Sequence, residues 1–183
     1  MRKNIVWAVL NILVIVALSG CGGGSSGGSV PDTMTVTVSS PSGTVTTTYT
    51  EGSYSTNSLG NSFLNPNLNA YVTALNETQI AFHYWDGVSV GSTVILNMHV
   101  IGNTTGLYPV DPGFINSSIM YSSNGPAYDN LRSSTSGTII LSAVGNVGEY
   151  IAGTFDAEVV SLLETNTTDT LRITGSFRIT REN

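Results

Sequence analysis

Two stretches in the C-terminal third alternate with a period of two. Over 149–161 the odd positions Ile151, Gly153, Phe155, Ala157 and Val159 are apolar or small, and the even positions Thr154, Asp156 and Glu158 are polar. Over 170–181 Leu171, Ile173, Phe177 and Ile179 stand at odd positions, with Arg172, Thr174, Ser176, Arg178 and Thr180 between them. A helix would spread these apolar residues around its axis, whereas a strand gathers them on one face. Each stretch therefore has a dry face and a wet face, as an antiparallel sheet over a core requires. If the two pair, opposed residue numbers must sum to an even value, because a one-residue slip would turn one dry face to water. A register of this kind sets Phe155 opposite Phe177 and brings Glu158 within diagonal reach of Arg172, with 162–169 as the connection.

The rest of the chain after residue 30 reads the same way. Met34–Val38 and Thr44–Tyr49 alternate around Ser40-Pro41-Ser42-Gly43, where Pro at the second position and Gly at the fourth suit a type I turn; this predicts a hairpin. Residues 51–69, rich in Asn, Ser and Gly, are expected to form a loop. Strands are predicted over 70–75, 79–85 and 93–101, punctuated by Asn76-Glu77-Thr78 and Asp86-Gly87. No window of ten or more residues holds a 3.6-residue period, and no internal repeat is visible. The expected fold is all-β: one antiparallel β-sandwich domain over 31–183, with a small open β-barrel as the alternative.

The N-terminus has a different character. Arg2 and Lys3 precede an apolar run from Ile5 to Leu18 that is interrupted only by Asn11, and small residues follow. This is the layout of a secretory signal peptide over 1–20. The competing reading is a membrane-spanning helix, but fourteen helical residues rise about 21 Å against a hydrocarbon core of about 30 Å. The chain's one cysteine, Cys21, closes this segment. Gly22–Ser29 is then all Gly and Ser, a flexible tether reaching roughly 15–17 Å, so 21–30 reads as an anchor point and linker.

Leu18-Ser19-Gly20-Cys21 resembles the lipobox of bacterial lipoproteins: a branched aliphatic, two small residues, then cysteine. The resemblance implies cleavage before Cys21, acyl chains on its sulfur and its new amino group, and a membrane as partner. Gly22 stands where inner-membrane lipoproteins carry Asp, which implies the outer membrane of the cell envelope. The alternative is an ordinary cleavage site beside a stray cysteine. A second resemblance covers 105–181. Thr105–Val110, Ser136–Leu141, Tyr150–Phe155 and Ile173–Arg178 are similar to a C-terminal pattern of uncharacterised β-rich bacterial lipoproteins. Leu107 replaces their usual Thr, and 111–135 is insert-like. That resemblance implies fold and localisation, and no activity.

Charge and cysteine content exclude several functions. From Cys21 onward twelve acidic residues face four arginines, a net charge of −8, so the basic stripe that a nucleic-acid reader needs is missing. After Cys21 there is no thiol, hence no disulfide, cysteine nucleophile or thiolate metal site. Gly23-Gly24-Ser25-Ser26-Gly27 matches a nucleophile elbow in letters only, since no strand precedes it.

The candidates for chemistry are few. His83 and His99, with Asp86 as a third ligand, form a metal-site candidate, although no metal-ligand spacing supports it and two unrelated surface histidines are the alternative. Asp156 and Glu158 share a face about 7 Å apart, a spacing met by carboxylate pairs but also by any solvated wet face. Asp111-Pro112-Gly113 and Asp129-Asn130 supply oxygens without EF-hand spacing. No motif implies a cofactor. Tyr108, Phe114, Tyr121 and Tyr128 lie among Gly, Pro, Asn and Ser, where a tyrosine-bearing loop, extended by Trp85, would bind a glycan or an envelope protein. Alternatively those rings fold back over the sheet. The expected function is thus a membrane-anchored, non-catalytic structural or interaction module, with carbohydrate or ligand binding as the alternative and a hydrolase or metal enzyme behind both.

Overall fold

The computed structural model describes residues 30–52, 54–56, 62–64, 66–85, 93–112, 116–123, 131–162 and 170–182. Residues 31–183 form a compact unit apart from 1–30. Every buried apolar side chain among the described residues belongs to this unit, so it carries its own core. The expected signal segment, Cys21 and the Gly/Ser run of 22–29 lie outside the described residues.

The unit is all-β and antiparallel, as the alternation predicts. The strands are β1 (Thr33–Ser40), β2 (Gly43–Thr50), β3 (Tyr54–Thr56), β4 (Ser62–Leu64), β5 (Asn67–Val72), β6 (Thr78–Trp85), β7 (Thr93–Val100), β8 (Gly106–Val110), β9 (Ser118–Ser123), β10 (Arg132–Val144), β11 (Tyr150–Ser161) and β12 (Thr170–Thr180). One sheet runs in the order β2-β1-β12-β11-β10-β9-β7-β6-β5, with β8 also on β10, while β3 and β4 pair separately.

That sheet curls into a half-barrel. Its β5 end returns to the end of β12, where Ala70 bridges Arg181 and Glu182 N donates to Ala70 O at 2.9 Å. The two sides of the core therefore belong to one continuous sheet, which is the open-barrel form of the expected architecture. Across the core the Tyr49 ring of β2 lies 4.6 Å from that of Phe82 and 5.1 Å from that of Tyr84 on β6. Two irregularities in β10, at Ser134/Ser136 and Leu141/Ala143, each insert a residue against β11. Such bulges bend a strand and switch which parity faces inward, so Ser134, then Ile139 and Leu141, then Val144 point to the core side.

The N-terminal hairpin forms around Pro41-Ser42, with Ser40 opposite Gly43. Gly43 has φ 143°, a value that disfavours any side chain. The strand predicted over 70–75 ends at Val72, because Asn76 takes a left-handed φ of 61° and closes the turn to β6. Two longer stretches also differ from expectation. The stretch 51–69 holds β3, β4 and the start of β5 rather than only loop. The insert-like 111–135 contributes β9, which sits inside the sheet between β7 and β10.

The β11–β12 ladder keeps the even parity, and all its odd apolar residues from Ile151 to Val159 and from Ile173 to Ile179 are buried. Its register lies two residues from the one expected. Phe155 opposes Gly175, Phe177 opposes Gly153, and Glu158 directly opposes Arg172.

Candidate functional site

The outer face of β5, β6, β7 and β9 carries a cleft of about 420 Å³. Its position follows from the registers. Tyr71, Gln79, His99 and Ser118 form one row across the four strands, and Asn69, Ala81, Asn97 and Met120 form the next. The alternate residues Ala70, Ile80, Phe82, Leu96, Met98 and Ile119 are buried on the core side and hold the strands rigidly beneath. Ala81 ends at Cβ between longer neighbours, which leaves the depression. The lining contains no Lys, Arg, Asp or Glu among the described residues.

The polar groups there are oriented by their neighbours. Tyr71 Oη donates to Gln79 Oε1 at 2.5 Å, which fixes the amide and leaves its nitrogen without another hydrogen bond among the described residues. His99 Nε2 lies 3.1 Å from Glu77 Oε2, close enough for an ion pair when the ring is protonated. The contact lacks hydrogen-bond geometry, and Nε2 is buried with no other partner among the described residues. Neutral amides, a hydroxyl, an imidazole and an aromatic ring on a fixed platform suit a neutral ligand rich in hydroxyls.

The two histidines do not converge. Both lie on the outer face, but His83 opposes Ile95 and His99 opposes Gln79, a separation of four residues or about 13 Å along the strands. Desolvation holds the His83 pKa below the ordinary imidazole value. Asp86 lies outside the described residues, and among those described no three His, Cys, Asp or Glu side chains gather to hold a metal.

The expected tyrosine surface is divided. Tyr121 is 4% exposed in β9, opposite Leu96, and belongs to the core; burial raises its phenol pKa. Its strand carries little sequence signal, because only Ile119 and Tyr121 mark the dry face within a Ser-rich stretch. Tyr108 sits in β8, where its hydroxyl donates to Thr104 O at 2.7 Å and its ring covers Gly102, leaving no room for a Cβ there. The side chain of Trp85, and Phe114 and Tyr128 entirely, lie outside the described residues. Asp156 and Glu158 are wet-face groups: Arg172 Nε and Nη2 donate to Asp156 at 2.9 and 2.6 Å, and Ser136 Oγ donates to Glu158 at 3.3 Å.

The four segments Thr105–Val110, Ser136–Leu141, Tyr150–Phe155 and Ile173–Arg178 fall on β8, β10, β11 and β12, which are successive neighbours in the sheet. The chain matches no protein-family model, and no curated protein or solved structure is significantly similar to it.

Proposed function

We propose that this chain is a lipid-anchored module of the cell envelope that binds rather than catalyses, and that the cleft on β5, β6, β7 and β9 seats its ligand. The observation that carries this reading is the row Tyr71, Gln79 and His99 beside Asn97: amides, a phenol and an imidazole that line one cleft on the outer face of the sheet. The ligand class that such a surface fits is a neutral oligosaccharide, whose hydroxyls the amides bind and whose apolar ring face rests on Tyr71. The lipobox-like Leu18-Ser19-Gly20-Cys21 and the Gly/Ser tether support placement at the outer membrane. The offset of about 13 Å along the strands between the histidines favours binding over metal chemistry.

The test is calorimetric titration of residues 31–183 with a panel of neutral oligosaccharides. Binding to a member of the panel is expected, with Gln79→Ala and Asn97→Ala each weakening it about tenfold, as the loss of a hydrogen bond does. No binding to any of them at millimolar concentration, or binding that both variants leave unchanged, overturns the assignment.

A further inference from the structure

We propose that the free edge of β2 is a self-association surface through which two copies of this chain join their sheets. β2 is the terminal strand of the sheet order, and no described residue pairs with its outer edge. The opposite terminal strand, β5, is instead tied to the end of β12 through Ala70. The alternation of an antiparallel ladder leaves every second N–H and C=O of β2 pointing away from β1, ready to pair with another strand.

Proteins that keep such an edge single blunt it with lysine, proline, a bulge or short length. β2 has none of these. It is eight residues long, unbroken in its pairing with β1, and contains no charged residue and no proline, although the chain as a whole carries −6. A second copy is the occupant that the side chains fit. An antiparallel arrangement about Thr47 sets Thr44 opposite Thr50 of the other copy and Thr46 opposite its Thr48. These are hydroxyl pairs of the kind already formed between β2 and β1, where Thr48 meets Thr35 at 2.9 Å and Thr46 meets Thr37 at 2.8 Å. On the other face the same register brings Val45, 67% exposed in the single chain, against Tyr49 of the second copy. Positions 44, 46, 48 and 50, which share one face of β2, are all threonine, so on that face the two strands are complementary to themselves, as a two-fold interface demands.

Residues 31–183 serve for the test, since they form their own compact unit and contain no cysteine. Sedimentation velocity from about 1 µM to about 500 µM is expected to show a reversible dimer, with affinity at the weak end that a small interface gives. Thr46→Lys with Thr48→Lys, which opposes like charges across the junction, is expected to weaken it at least tenfold. Thr47→Cys is expected to form an intermolecular disulfide under mild oxidation much faster than Thr154→Cys, an exposed position in the middle of the sheet. A wild-type monomer up to the highest concentration overturns the proposal, as does a dimer that the lysines leave unchanged. Equal cross-linking at 47 and 154 overturns it too, and this comparison decides if the lysine variant does not fold.

Discussion

Phe155 lies directly opposite Gly175 in the β11–β12 ladder, and its ring fills the space that a side chain at 175 would need. The relationship is reciprocal two residues along, where Phe177 covers Gly153. A phenyl ring spreads over the bare backbone of its partner strand, so both rings stay buried without competing for one position.

The first prediction concerns this pairing. A Cβ at 175 would stand 2.0 Å from Thr35 O and 2.5 Å from Phe155 Cζ. The carbonyl belongs to β1 and cannot yield without displacing that strand. Gly175→Ala is expected to cost at least about 1–3 kcal/mol, the range for overpacking a core. Urea unfolding of residues 31–183 reads it; an unchanged midpoint refutes the packing described.

Asp32 provides a second prediction. It is 5% exposed and accepts hydrogen bonds from Thr180 N at 2.9 Å and Thr180 Oγ1 at 2.8 Å, joining the start of β1 to the end of β12. Asp32→Ala leaves both donors unmatched and is expected to cost about 1–3 kcal/mol. Asp32→Asn retains an acceptor and is expected to lose less. Amide hydrogen exchange at Thr180 is expected to quicken in the alanine variant before the rest of the sheet opens.

The third prediction is a pH dependence. The two hydrogen bonds from Arg172 hold the Asp156 carboxyl below its ordinary value of 3.8, with partial burial opposing them. The folded state thus binds this proton less readily than the unfolded chain does. The resulting stabilisation is complete above 3.8 and is lost as pH falls through the lower, folded value. Both side chains are substantially exposed, so the effect is small and screened by salt. Thermal unfolding between about pH 5 and pH 2 is expected to lose stability less steeply in Arg172→Ala than in the parent at low salt. Parallel curves would show that the pair contributes nothing.

Cys21 carries a fourth. In a bacterial envelope the full chain is expected to yield a mature form beginning at Cys21 with added acyl mass, released from membranes only by detergent. Cys21→Ser is expected to lack both the processing and the added mass. Intact-mass measurement distinguishes these, and a mature terminus elsewhere would remove the anchor.

Much of the sheet is legible locally because solvent acts on each strand residue by residue. Ile151 to Val159 and Ile173 to Ile179 declare their dry faces through alternation alone, and Ser40-Pro41-Ser42-Gly43 declares its hairpin through turn chemistry. β9 is not legible in this way, since serine fills most positions around Ile119 and Tyr121. The cleft is even less visible. Tyr71, Gln79, Asn97 and His99 are ordinary wet-face residues in one dimension and become neighbours only when β5, β6 and β7 align.

Periodicity and the single cysteine thus suffice to establish a thiol-free, antiparallel β body after residue 21, because burial pattern and composition are properties of the chain itself. Register is decided elsewhere. A shift of two residues keeps every side chain on its proper face, so hydrophobicity cannot choose between Phe155 opposite Phe177 and Phe155 opposite Gly175. The choice falls to three-dimensional packing, where only glycine leaves room beneath each ring. The same strand alignment assembles the cleft and leaves β2 at the open edge.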